Sequence, residues 1–236
     1  MHPGASGAFS APYPQSLPSA LAPPPSRADA RRALGIDPDT TWICYGAEHA
    51  ANPRKGFEDF LAAMPLLRAR RPVARVAVVG AGADLPAWRA VADLVALGRL
   101  DPAKLELAFA AADVFAMPTH EEALGQMGLE ALAQGTPVVC YANSGPCSYV
   151  VPGVTGLQVA TRSPQSLAAG LLEVLEAPSD YSQAAVRQGY EKLLEEKFSL
   201  DGQAARYLDF YREVSGWPRP LARSRISPSR RANSRS

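Results

Sequence analysis

The stretch DVFAMPTHEEALGQMGLEALAQGT, Asp113 to Thr136, decides how the chain folds. It opens with a short apolar run, Val114 to Met117, broken by Pro118, and a polar loop follows from Thr119 to Glu122. From Leu124 to Ala133 the pattern is helical, with Leu124, Met127, Leu129, Leu132 and Ala133 available for a buried face. Gly135 and Pro137 close the helix, because a glycine just past the end can adopt the left-handed turn that a helix stop needs. A second apolar run, Val138 to Tyr141, begins at once. Strand, loop, helix, strand is one repeat of an α/β fold.

Two carboxylates stand out in it. Glu122 sits in the loop and Glu130 inside the helix. The first free amides of the helix, near Gly125, Gln126 and Met127, point back into the loop mouth. Such amides have no partner within the helix and carry the positive end of its dipole, so they attract anions. One crevice would then hold an acid, a set of amide donors and a second acid further in. Taken without context, the same two glutamates also fit a solvated loop charge and an exposed helix residue.

On the N-terminal side, Thr41 to Tyr45 is β-branched and aromatic and predicts a strand ending at Gly46. The loop Ala47 to Arg54 leads to a helix from about Gly56 to Arg70, in which Phe57, Phe60, Leu61, Met64 and Leu67 recur at helical spacing. Val73 to Val79 is a strand that runs into Gly80-Ala81-Gly82. That G-x-G suggests a dinucleotide site, but Leu85 stands where the fingerprint needs a third small residue. A short helix, Leu85 to Arg89, and a strand, Val91 to Ala96, follow. Asp101 caps the next helix, with Pro102 at its first position, and that helix runs to about Ala112. Beyond the central stretch, Gly156 leads into an edge strand, Leu157 to Val159. Helices are expected from Ser163, over Tyr181 to Phe198, and over Leu200 to Val214.

The alternation of strand and helix predicts an α/β fold, a single Rossmann-like, doubly wound, mostly parallel sheet over residues 31–217. Met1 to Ala30 is rich in Pro, Ala and Ser without periodicity and reads as a disordered leader. Residues 218–236 carry six Arg and no acid and read as a disordered basic tail. The net charge of +1 therefore leaves the body mildly acidic, which argues against a nucleic-acid partner. The three cysteines, Cys44, Cys140 and Cys147, form neither an even disulfide framework nor a metal-ligand spacing. No run reaches the roughly 18 to 20 apolar residues of a transmembrane segment. A cytoplasmic location is expected, with peripheral membrane attachment left open.

The run Pro118-Thr119-x-x-Glu122, then Glu130-Ala131-Leu132-Ala133, then Gly135-Thr136-Pro137-Val138-Val139, resembles the signature of retaining family-four glycosyltransferases with the GT-B fold. Arg54-Lys55-Gly56-Phe57, Ala112-Asp113-Val114-Phe115 and Gly153-Val154-Thr155-Gly156 match other parts of that family's pattern. The likeness extends from about Arg31 to Val214 and covers only the C-terminal, donor-binding lobe. It implies transfer of a hexose from a nucleoside-diphosphate sugar, with retention at the anomeric carbon and with no metal or other cofactor. It gives Glu122 the transferred sugar, Glu130 the ribose, and Lys55 the diphosphate, with Arg54 beside it. Lysine is suited to that task as a mobile point charge.

Two positions depart from the pattern. Many relatives have Arg directly after the glycine of the first strand, where this chain has Ala47; His49 is the nearest side chain that stands in. Relatives often carry an acid where this chain has Ser148. The resemblance also implies an acceptor-binding lobe or subunit supplied from elsewhere. Three readings stand open: a donor lobe of a sugar transferase, a non-catalytic nucleotide-sugar-binding module, and a dinucleotide oxidoreductase.

Overall fold

The structure, a computed structural model, describes residues 23–72, 74–82 and 94–215. Six strands form one sheet: β1 (Thr41–His49), β2 (Ala74–Ala81), β3 (Leu94–Gly98), β4 (Val114–Met117), β5 (Val138–Tyr141) and β6 (Gly156–Val159). Their spatial order is β3-β2-β1-β4-β5-β6, and every pairing is parallel. Ile43 of β1 lies opposite Val76 on one side and Val114 on the other. The chain winds outward from β1 to β3, returns to the centre, and winds outward again from β4 to β6. Since such crossovers are right-handed, the reversal puts helices on both faces and makes the sheet doubly wound.

The helices are α1 (Arg27–Leu34), α2 (Phe57–Arg68), α3 (Pro102–Ala111), α4 (Gln126–Ala133), α5 (Pro164–Glu176), α6 (Gln183–Leu193) and α7 (Leu200–Ser215). On one side α2 packs against α5; on the other α1 meets α3, α3 meets α4, and α4 meets α6. Strands covered on both faces should be apolar throughout, and β4 and β5 are buried at every residue. Phe60, Met64 and Leu67 present the inner stripe of α2 and are fully buried. Each such side chain contributes roughly 1.5–3 kcal/mol. Asp113 secures α1 to the sheet: it accepts from Arg31 Nη2 at 2.7 Å and from the Trp42 amide at 2.8 Å. The described residues as far as Phe198 belong to one compact unit, and α7 belongs to another.

Several boundaries differ from the sequence reading, each for a local reason. Helix α1 starts at Arg27, inside the expected leader, because Ser26 caps it through the Asp29 amide at 3.1 Å. Strand β1 does not stop at Gly46 but runs on, beside β2, to His49, which pairs with Ala81. Strand β3 runs on to Gly98, two residues past the expected end at Ala96. Helix α4 begins after Gly125, so Leu124 lies outside it. Leu194–Phe198 forms a π-helical turn after α6. The Asp101 cap is as expected, its carboxylate accepting from the Lys104 amide at 3.0 Å. The helix expected at Leu85–Arg89, most of the leader and the basic tail lie outside the described residues.

Candidate functional site

The carboxyl ends of β1 and β4, neighbours at the reversal of strand order, hold Lys55 and Glu122 between them. After β1 the chain makes a 3-10 turn, Pro53–Lys55, capped by the Asn52 side chain on the Arg54 amide at 3.2 Å. Gly56 then starts α2 at φ +67°. A side chain there is excluded, because a Cβ would stand 1.8 Å from the Pro118 carbonyl oxygen. That close approach brings the turn after β1 against the loop after β4. The Arg54 carbonyl accepts from the His120 amide at 2.8 Å, sewing the two together.

Across this seam the Lys55 ammonium pairs with the Glu122 carboxylate. Both are largely enclosed, Lys55 with 27% and Glu122 with 17% of the side chain exposed. Lysine carries three donors, and Glu122 uses one of them. The other Glu122 oxygen accepts from the Ala123 amide at 3.2 Å. The Glu122 carbonyl accepts from the Gly145 amide at 2.9 Å, which fastens the loop to the segment after β5.

Helix α4 points its first turn at the same place. Gly125 is its N-cap at φ +84°, and no side chain caps the helix. The amides of Gln126 and Met127 thus open an uncapped helix end, a natural anion seat. The Met127 side chain lies against β1 at Gly46, since a Cβ there would sit 2.9 Å from its Cε. Thr119, in the same loop, is buried, and its hydroxyl has no hydrogen-bond partner.

Glu130 lies one turn further along α4 and faces α3. It lines a cavity of about 180 Å³ with Pro102, Leu105, Glu106, Phe109 and Gln134. Burial, and then the neighbouring Glu106 charge, push its carboxyl above the usual range. Gln134 adds a buried side-chain oxygen without a partner. The site is therefore two linked parts, an ion-paired mouth at Lys55 and Glu122 and a side cavity at Glu130, rather than a single crevice.

The remaining candidates contribute less. Arg54 is exposed, and its described hydrogen bonds are made by its backbone amide and carbonyl. His49 is exposed on the extension of β1, aligned with β2, and forms no ion pair among the described residues. Four residues were not singled out from sequence. His120 lies 3.4 Å from Asp59, whose carboxylate also accepts from the Tyr141 hydroxyl at 2.8 Å. The fourth, Tyr149, is buried beneath α4. Its hydroxyl donates to the Gly125 carbonyl at 2.6 Å. Burial first, then nearby charges including those of Glu122 and Glu130, hold its pKa well above the usual phenol value. Aromatic residues in apolar surroundings read as packing, so no sequence signal marked these contacts. Among the described residues no group of three or more His, Cys, Asp or Glu could hold a metal ion. No helix among them is long and apolar enough to cross a membrane.

Comparison with known proteins agrees with this fold. Residues 26–192 match the family described as Glycosyl transferases group 1. A D-inositol 3-phosphate glycosyltransferase from Thermobispora bispora is 33% identical over 213 residues, which is 81% of this chain and 47% of that protein. A GDP-mannose-dependent monoacylated alpha-(1-6)-phosphatidylinositol monomannoside mannosyltransferase from Corynebacterium glutamicum is 34% identical over 66% of this chain and 44% of its own length. Sucrose-phosphate synthase from Thermosynechococcus elongatus superposes with a TM-score of 0.64 at 27% identity, over 80% of this chain and 49% of that one. Anabaena HepE, solved in complex with UDP-glucose, shares the fold with a TM-score of 0.63 at 19% identity, over 81% of this chain and 52% of its own. The chain thus spans about half the length of the relatives it matches.

Proposed function

The chain belongs to the group 1 glycosyl transferases, and on that premise we propose that it is a donor-binding lobe that presents a nucleoside-diphosphate hexose for retaining transfer to an acceptor. The observation that carries this is the Lys55–Glu122 ion pair at the open N-terminus of α4. In this reading the diphosphate lies across the Lys55 ammonium and the first amides of α4. Those groups stabilise the negative charge that grows on the leaving oxygen as the anomeric bond breaks, and they are in place before it does. Charge neutralisation then rests on protein donors rather than on a divalent ion. Glu122, already held by Lys55 and the Ala123 amide, faces the transferred sugar. Glu130, in the side cavity, accepts from the ribose hydroxyls.

The acceptor would be supplied by a further lobe or subunit, in keeping with the relatives' greater length. A non-catalytic nucleotide-sugar-binding module is the second reading, favoured by Ala47 and Ser148 at positions where the family pattern carries Arg and an acid.

Calorimetric titration with UDP, GDP and ADP tests the proposal. One diphosphate should bind, and both Lys55→Ala and Glu130→Ala should weaken it by about tenfold or more. Binding that neither substitution alters, or a folded chain that binds none of the three, overturns it.

A further inference from the structure

A further cavity lies at the other end of the sheet, where β1 begins. It holds about 360 Å³ and is lined by Arg27, Arg31, Arg71, Thr40, Thr41 and Asp113 among others. Asp113 immediately precedes β4, so the cavity is at the amino edge, away from the crevice at the carboxyl ends of β1 and β4.

Its charges are unevenly matched. Asp39 and Glu176 also line it, but both are exposed and belong to its rim. Inside, three guanidinium groups stand with one carboxylate, Asp113, which pairs with two of them. Arg31 is fully engaged: its Nε donates to the Ala111 carbonyl at 3.0 Å, its Nη1 to the Pro38 carbonyl at 2.6 Å and its Nη2 to Asp113 at 2.7 Å. Arg71 donates through Nη2 to the Leu175 carbonyl at 3.0 Å and pairs with no carboxylate among the described residues. Arg27 reaches Asp113 only through Nη1, at 3.3 Å. Its Nε and Nη2 are buried without a hydrogen-bond partner. Those two nitrogens form the guanidinium edge whose parallel N–H bonds match two oxygens of one carboxylate or phosphate. A buried charged donor left unpaired is costly, and burial lowers the pKa of Arg27 more than Asp113 raises it.

We infer that this cavity is a second anion site, taking a phosphate group at Arg27 and Arg71, separate from the donor crevice. A tetrahedral dianion supplies the charge that Asp113 alone does not and accepts from the open edge of Arg27. Free phosphate and the phosphate of a monoester present the same oxygens, and the site is defined by that shared chemistry.

The test is titration of the whole chain with inorganic phosphate and, separately, glycerol 3-phosphate, followed by calorimetry and by thermal unfolding. Both ligands should bind and raise the melting temperature. Arg27→Gln and Arg71→Gln should each weaken binding by about tenfold or more, in the Lys55→Ala background as in the parent chain. Arg71 lies outside the Asp113 cluster, so its substitution keeps the test valid if Arg27→Gln impairs folding. Preference for the monoester over phosphate by about tenfold identifies an ester as the natural occupant, and equal affinity identifies the free ion. The inference falls if neither ligand binds, if both arginine variants bind as well as the parent, or if Lys55→Ala abolishes binding, which would place the anion in the donor crevice.

Discussion

The Tyr149 hydroxyl donates to the Gly125 carbonyl at 2.6 Å, and so supports from below the residue on which α4 begins. The ring fits there because a Cβ at Gly128 would lie 2.3 Å from that oxygen. Tyr149→Phe keeps the ring and removes the donor. The Gly125 carbonyl still accepts from the Gly128 amide at 3.0 Å, so the expected loss is about 1 kcal/mol in denaturant unfolding. The more telling expectation concerns ligands. Diphosphate affinity should fall while affinity for the matching nucleoside is kept, since the helix end is disturbed and the Glu130 cavity is not. Equal weakening of both would remove Tyr149 from any role at the anion seat.

Glu122 competes with a diphosphate for the same ammonium group. Glu122→Gln removes a negative charge from the mouth and releases Lys55. Nucleoside diphosphate binding should therefore tighten, by about tenfold at low salt, even though transfer is impaired. Raising the ionic strength should shrink that gain. Weaker binding by this variant in calorimetry would show that Glu122 holds the ligand rather than repelling its phosphates.

Glu130 makes stability fall as pH rises. Its carboxyl is raised in the fold by burial and by Glu106, so the folded chain holds this proton more tightly than the unfolded chain. The favourable balance is complete below the ordinary glutamate range, is lost as pH climbs to the raised folded value, and stays lost above it. Urea unfolding of Glu130→Gln should lack this decline. Glu106→Gln should shift it to lower pH. If the ionised form accepts the ribose hydroxyls, nucleoside affinity should rise over the same interval.

The thiols should differ in reactivity. Burial pushes Cys44 up to about 12 and raises Cys140 further still. Cys147 is only partly buried, and its thiol donates to the Tyr141 carbonyl at 3.3 Å. Iodoacetamide at neutral pH should label Cys147 in the native chain and all three on unfolding. Native labelling at Cys44, read by peptide mapping, would contradict its place in the centre of β1.

Much of this was legible in the sequence because the signals were local. The Val114–Met117 and Val138–Tyr141 runs are strands, and the Asp101 and Ser163 caps close as their residue types require. What escaped depends on contacts between distant segments. Nothing near His49 shows that β1 continues past Gly46; that follows from its pairing with Ala81. Nothing near Glu130 shows that Glu106 of α3 will face it, and so an acid expected deep in the mouth lies in a side cavity. Gly56 reads as an ordinary helix start, yet its requirement for glycine is set by Pro118.

Lys55 and Glu122 are 67 residues apart in the chain. Between them run α2, β2, β3, α3 and β4, all of which must be laid down before the two side chains meet. Closing so long a loop costs entropy that only the assembled sheet recovers. Whatever anion seats itself across this pair is consequently a ligand of the finished fold and of no fragment of it. Its binding energy adds to the stability of the whole cooperative unit. The affinity for that anion therefore gauges how completely β1 and β4 have come together, and partially folded chains should be invisible to it.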